Sequence, residues 1–149
     1  MEETAKIASR IIRCFRRGNK LLICGNGGSA TQASHFAAEF VNHYLHPISK
    51  ALPAMALNDP AILTAIANDR GFEFVFSRQI EAYGKLGDIL ISLSTSGKSK
   101  NILNAIKQAK KQKITNIEFP IKGRKTGEIQ NYQLALMHEI CEFVEQSFI

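Results

Sequence analysis

The sequence predicts an α/β fold, with a parallel sheet covered by helices on both faces in three layers. Three observations carry this. Lys20–Glu39 reads as strand, glycine turn, helix: Leu21, Leu22, Ile23 and Cys24 form one apolar run, Gly25 to Ser29 break it, and Ala30, Ala33, Phe36, Ala37 and Phe40 recur at helical spacing. Asp88–Lys113 repeats the pattern, with a hydroxyl-rich loop in place of the glycines. Short apolar runs alternate with helical patterns along the whole chain, as βα units do.

The elements follow in order. Residues 1–18 predict a helix in which Ile7, Ile11, Cys14 and Phe15 share a stripe, acids come early, arginines late, and Gly18 ends it. After the first strand, the helix from about Ser29 to Tyr44 stops near Pro47. Ala51–Leu57 predicts a second strand, and Asn58-Asp59-Pro60 starts a helix with Pro60 at its first position. Asn68 to Gly71 break that helix, and Phe72–Tyr83 predicts another. Asp88–Leu93 is a strand, and Ile102, Leu103, Ile106 and Ala109 mark the helix after it. Thr115–Phe119 predicts a last strand, and residues 126–149 a last helix carrying Ile129, Tyr132, Leu136, Ile140, Phe143 and Val144. A chain of 149 residues with 45% hydrophobic content fits one domain, 1–149.

Two loops carry chemistry. A helix that begins at a glycine turn offers free N–H groups and a positive dipole end to an anion. The turn lacks the Gly-Lys-Ser/Thr of a Walker loop. Gly25, Gly27 and Ala30 fit a dinucleotide fingerprint, but the acidic residue expected about 20 positions on is missing between Asn42 and Pro47. A sugar-phosphate loop and a purely structural turn stay open. Ser94, Thr95, Ser96 and Ser99 lie at a helix start, which suits a phosphate, although capping needs only one of them. His35 and Glu39 stand four apart, on one helix face.

The net charge of +6 favours anionic partners, but the basic residues are scattered and there is no tryptophan, so nucleic acid is not expected. Cys14, Cys24 and Cys141 are odd in number and far apart, which argues for a reducing cytoplasm rather than a disulfide framework. No apolar run approaches a membrane span, and no secretory leader is read at the N-terminus.

Taken together, several stretches resemble the phosphoheptose isomerase branch of the sugar isomerase (SIS) family. They are Gly25-Asn26-Gly27-Gly28-Ser29-Ala30 with His35 to Phe40, Asn68-Asp69 with Gly71-Phe72-Glu73 and Phe76 to Ala82, Gly87-Asp88 with Ser94 to Asn101, and Ile129-Gln130 with His138. The resemblance covers nearly the whole chain. It implies a flavodoxin-like three-layer fold and a cytoplasmic homotetramer. It implies conversion of sedoheptulose 7-phosphate into D-glycero-D-manno-heptose 7-phosphate through an enediol, toward lipopolysaccharide or capsule. Ser94, Thr95, Ser96 and Ser99 would hold the phosphate. Asn26, Gly27, Gly28, Asn68, Asp69 and Gln130 would line the sugar. His35, Glu39, Gln130 and His138 would hold zinc, and Glu39 and His138 would be catalytic base and acid. A non-catalytic SIS module, binding a phosphosugar or a replication initiator, and an inactive truncated isomerase are the alternatives.

The sequence departs from the family pattern in places. After Lys113 one strand–helix unit is missing, which predicts a sheet that either closes a gap or leaves backbone groups unpaired. Glu128 and Asn131 differ from the usual Arg and Glu, Lys98 from the usual Asn, and His43 from the usual Arg. Gln130 and His138 are eight residues apart, roughly 12 Å along a helix, so both reach one ion only by leaning toward each other or from different subunits.

Overall fold

The computed structural model describes residues 2–149. Six helices and four strands follow in the order α1 (Glu2–Arg16), β1 (Leu21–Gly25), α2 (Gly28–Val41), β2 (Ala54–Ala56), α3 (Pro60–Arg70), α4 (Ser77–Tyr83), β3 (Ile89–Leu93), α5 (Lys100–Lys111), β4 (Thr115–Glu118) and α6 (Thr126–Gln146). A 3-10 turn, Phe72–Phe74, precedes α4. The strands form one parallel sheet in the order β2-β1-β3-β4.

Side-chain alternation splits the two central strands between two cores. Leu21, Ile23, Ile89, Ile91 and Leu93 point to the face covered by α1, α2 and α6, meeting Ile11, Phe36, Phe40, Met137 and Ile140. Leu22, Cys24 and Leu90 point to the other face, meeting Val75, Phe76, Ile80, Ile102 and Ala105 of α4, α5 and the turn before α4. Every residue of β1 and β3 is buried, as a sheet covered on both sides requires.

At the amino ends of β1 and β3, Asp88 is 1% exposed. It accepts from the backbone N–H of Lys20 (3.1 Å) and of Lys85 (2.8 Å), and from the Asn19 amide (3.0 Å). The Lys20 ammonium lies 2.5 Å from Oδ2, the oxygen that also accepts from Lys85. Burial pushes this carboxyl up, but the Lys20 ammonium and the surrounding donors outweigh it, holding the group below the usual carboxylate range.

The missing unit leaves no hole. β4 pairs directly on β3, from Ile89↔Thr115 to Ser92↔Glu118, so the four-stranded sheet is continuous. Other boundaries move for local reasons. The second strand shrinks from Ala51–Leu57 to Ala54–Ala56, because Pro53 has no N–H to give to a ladder. The helix expected to reach Tyr44 ends at Val41, since the N–H groups of Tyr44, Leu45 and His46 are taken by the Glu145 carboxylate. The helix expected over Phe72–Tyr83 divides into the 3-10 turn and α4. Glu128 has a local use: it accepts from the N–H of Arg124 at 2.8 Å and of Lys125 at 3.3 Å, starting α6.

Candidate active site

The two loops noted in the sequence leave neighbouring strands. Gly25 is in register with Leu93, so the β1–α2 and β3–α5 loops emerge side by side at the carboxyl edge of the sheet. Their helices then part, α2 to one face and α5 to the other. That divergence opens a crevice at the switch in strand order, where ligands bind in open α/β sheets.

The loops are tied to each other. Asn26 and Asn101 exchange two amide hydrogen bonds, 2.9 and 2.8 Å, and Asn101 is 3% exposed. Gly27 has φ of +55°, a left-handed conformation that suits glycine, and begins α2 with no side-chain cap. The N–H groups of Ser29 and Ala30 turn back onto the carbonyls of Asn26 (2.9 Å) and Gly27 (3.0 Å), which leaves the Gly28 N–H for an anion. In the second loop, the Ser94 and Ser96 hydroxyls accept from the N–H of Gly97 (2.9 Å) and of Lys98 (3.1 Å). Ser99 precedes α5 without capping it, so its hydroxyl has no helix duty. Thr95 is half-buried beside Ser94, and Lys98 is exposed.

Helices α2 and α6 run side by side, and their facing residues form a graded series. Nearest the sheet edge, the Gln130 amide packs over Gly28, where an added Cβ would fall 2.5 Å from it. The Gln32 amide donates to the Gln130 carbonyl at 2.8 Å. Next, Gln133, fully buried, donates its amide to the carbonyls of Ser94 (3.1 Å) and Pro120 (3.3 Å), joining α6 to the hydroxyl loop. Further along, His35, Glu39 and His138 converge, each with a ligand atom within 4.8 Å of the others. His35 Nε2 is 2.8 Å from Glu39 Oε1. The His138 imidazole meets the His35 ring in an edge-to-face contact and stacks on Tyr44, both with ring centres 5.2 Å apart.

Two imidazoles and a carboxylate at this spacing suit a transition-metal ion such as zinc. The group is partly exposed, His35 at 42% and Glu39 at 20% of the side chain, so a substrate can reach it. Gln130 stands two helical turns before His138 on α6, with its amide over Gly28 at the start of α2. Asn68 and Asp69 end α3, exposed and bonded to each other at 2.9 Å. Asp69 lines a 560 Å³ cavity with Arg78 and Lys107, whereas a separate 330 Å³ crevice carries Gly25, Asn26, Gly27, Ser34 and Asn58.

Comparison with known proteins gives the lineage. The SIS domain pattern matches residues 1–118. Phosphoheptose isomerase 1 of Campylobacter jejuni is 41% identical over 163 residues, spanning 98% of this chain and 87% of the relative. The Fusobacterium nucleatum phosphoheptose isomerase is 39% identical over 161 residues, spanning 97% and 82%. This chain belongs to the phosphoheptose isomerase family of SIS-domain proteins. The solved phosphoheptose isomerase GmhA of Neisseria gonorrhoeae superposes with a TM-score of 0.90 at 34% identity, over 98% of this chain and 86% of the other. A phosphoheptose isomerase from Francisella tularensis gives 0.91 at 31% identity, over 96% and 85%. The aligned spans of the two relatives exceed the 149 residues of this chain, so both carry segments it lacks, in keeping with a lost strand–helix unit.

Against this family frame, the sequence reading overlooked Gln133, Tyr44 and Glu145. Gln133 left a trace, a polar residue on the apolar stripe of α6. Tyr44 and Glu145 left none, because their meeting spans 101 residues of chain. The three cysteines are free and buried, and burial raises Cys14 to about 11 and Cys24 to about 12, so neither is a nucleophile at neutral pH. Among the described residues no helix is long and apolar enough to cross a membrane.

Proposed function

We propose that this chain is an aldose–ketose isomerase that interconverts sedoheptulose 7-phosphate and D-glycero-D-manno-heptose 7-phosphate. The family supports the substrate. The convergence of His35, Glu39 and His138 on two helices, one starting at the glycine loop and the other bonded to the hydroxyl loop through Gln133, supports the chemistry.

In this reading Ser94, Thr95, Ser96 and Ser99, with the open N–H groups of α5, hold the phosphate. Asn26, Gly27, Gly28 and Gln130 line the sugar, and Asn68 and Asp69 join them by analogy with the family. Anchoring one end of the substrate turns the reaction at the other into a local event. The Glu39 carboxylate takes a proton from C1 of the ketose, and the electrons left behind form the enediol. The same proton returns at C2. The His138 imidazole gives a proton to the C2 oxygen and recovers one from the C1 oxygen, so the books of protons balance. His35 holds Glu39 in place. His35, Glu39 and His138 would hold zinc, which supplies charge stabilisation for the oxyanion. The assembly is a homotetramer in the cytoplasm, by analogy with the family, and the product feeds lipopolysaccharide or capsule heptose. A non-catalytic module would have no use for this convergence.

The test is turnover of sedoheptulose 7-phosphate by purified protein, with and without added zinc. Glu39→Gln and His138→Ala should each lower kcat by about 10²–10⁴-fold, the usual contribution of general acid–base catalysis. Both variants should keep the wild-type circular dichroism. Absence of turnover in folded wild type, zinc-loaded or not, overturns the reading.

A further inference from the structure

We propose that Tyr44 is a positioning residue for the His138 imidazole and that Glu145 holds Tyr44 in place. The kinetic side of this rests on the isomerase reading.

The geometry has three parts. The Tyr44 ring lies nearly parallel to the His138 imidazole, 9° between planes and 5.2 Å between centres. His35 meets the same imidazole in an edge-to-face contact, at 67° between planes. The imidazole therefore touches two rings, one from α2 and one from the segment after it. That segment has no regular structure between Asn42 and Pro53. Glu145 supplies what organises it. This carboxylate, 5% exposed, accepts from the N–H of Tyr44 (2.8 Å), Leu45 (2.8 Å) and His46 (3.1 Å), and from the Ser49 hydroxyl (3.0 Å). Four donors converge on one buried group, and it stands seven residues after His138 on the same helix. One helix thus carries both the imidazole and the anchor of the ring that packs on it.

The physical need is plain. The terminal torsion of a histidine is broad, so backbone placement alone does not fix its ring plane. Acid–base and ligand geometry tolerate little error, and outer-shell partners of metal-binding histidines typically govern affinity or activity by 10–100-fold. A flat ring stacked on the imidazole fixes the plane without using either nitrogen, leaving both for chemistry. The stack needs an aromatic face and not the phenol hydroxyl.

The test compares Tyr44→Leu, Tyr44→Phe and Glu145→Gln with wild type in three measurements. In proton NMR of the metal-free protein, the carbon-bound ring protons of His138 should be shifted upfield by the stacked phenol in wild type and in Tyr44→Phe. They should return to ordinary positions in Tyr44→Leu. By calorimetric titration, zinc should bind Tyr44→Leu about 10-fold more weakly than wild type, with Tyr44→Phe within about twofold. In kinetics, Tyr44→Leu should lose about 10–100-fold in kcat with KM within about threefold, and Tyr44→Phe should restore kcat. Glu145→Gln should move all three in the direction of Tyr44→Leu, and it stands in if that variant does not fold. A wild-type spectrum without the upfield shift overturns the proposal. So does a folded Tyr44→Leu that keeps zinc affinity and kcat within twofold, or a Tyr44→Phe as damaged as Tyr44→Leu. If wild type has no turnover, the isomerase reading falls by itself, and the spectrum and the zinc titration still decide for or against the stack.

Discussion

Gly25 ends β1 where the chain folds back on itself so tightly that an added Cβ would lie 2.7 Å from the Ser29 carbonyl oxygen. That neighbour is backbone and cannot swing away. Gly25→Ala should therefore cost about 1–3 kcal/mol, read as a lowered midpoint in urea, by overpacking rather than by lost contacts. Gly28 is the contrast: its neighbour is the far end of the Gln130 side chain, which can move. At this scale part of the site was legible in the chain. The four-residue spacing of His35 and Glu39 fixes them on one face of α2 whatever the rest of the fold does. His138 was legible as a residue but not as a neighbour, because its approach depends on how α6 packs on α2. Gln130, read as a fourth ion ligand, lies with its amide against Gly28, eight residues before His138 on α6.

Between elements, the reciprocal amide pair of Asn26 and Asn101 joins the loop after β1 to the start of α5. Removing one partner leaves the other amide, largely buried, without its match, which costs more than removing both. Asn26→Ala and Asn101→Ala should each destabilise by about 1–2 kcal/mol, and the double variant by less than their sum. Strict additivity in a denaturant series would show that the loops are not mechanically joined. The strand–loop–helix units were legible because apolar runs of the right length were bounded by glycines and hydroxyls. The boundary of α2 was not, since its cause, Glu145, lies about a hundred residues downstream. Nor was the pairing of β4 on β3, because sequence pattern marks a strand but not its neighbour.

For the molecule as a whole, two buried carboxylates set the response to acid. Burial raises both, yet the Lys20 ammonium and surrounding donors bring Asp88 below its ordinary 3.8, and three backbone N–H groups with Ser49 bring Glu145 below its ordinary 4.5. A depressed folded-state value means that the folded form binds its proton less readily than the unfolded chain does. The stability they contribute is full above those ordinary values and is lost as pH falls through the lower folded ones. The thermal midpoint should be flat from neutrality down to about pH 5 and fall steeply below about pH 4. Glu145→Gln and Asp88→Asn should each lower the neutral-pH midpoint and flatten the acid limb. An acid limb unchanged in both variants would place the acid-sensitive groups elsewhere.

A sheet that stops at β4 exposes one lateral row of amides and carbonyls to whatever approaches. Only four residues of strand are on offer there, and Glu118 at their end is a charge that a foreign strand would have to accommodate. Brevity is thus a safeguard against runaway polymerisation. Any change that extended this border, such as replacing Glu118 and Pro120 with β-branched residues, would turn a tolerated truncation into a nucleus for fibres.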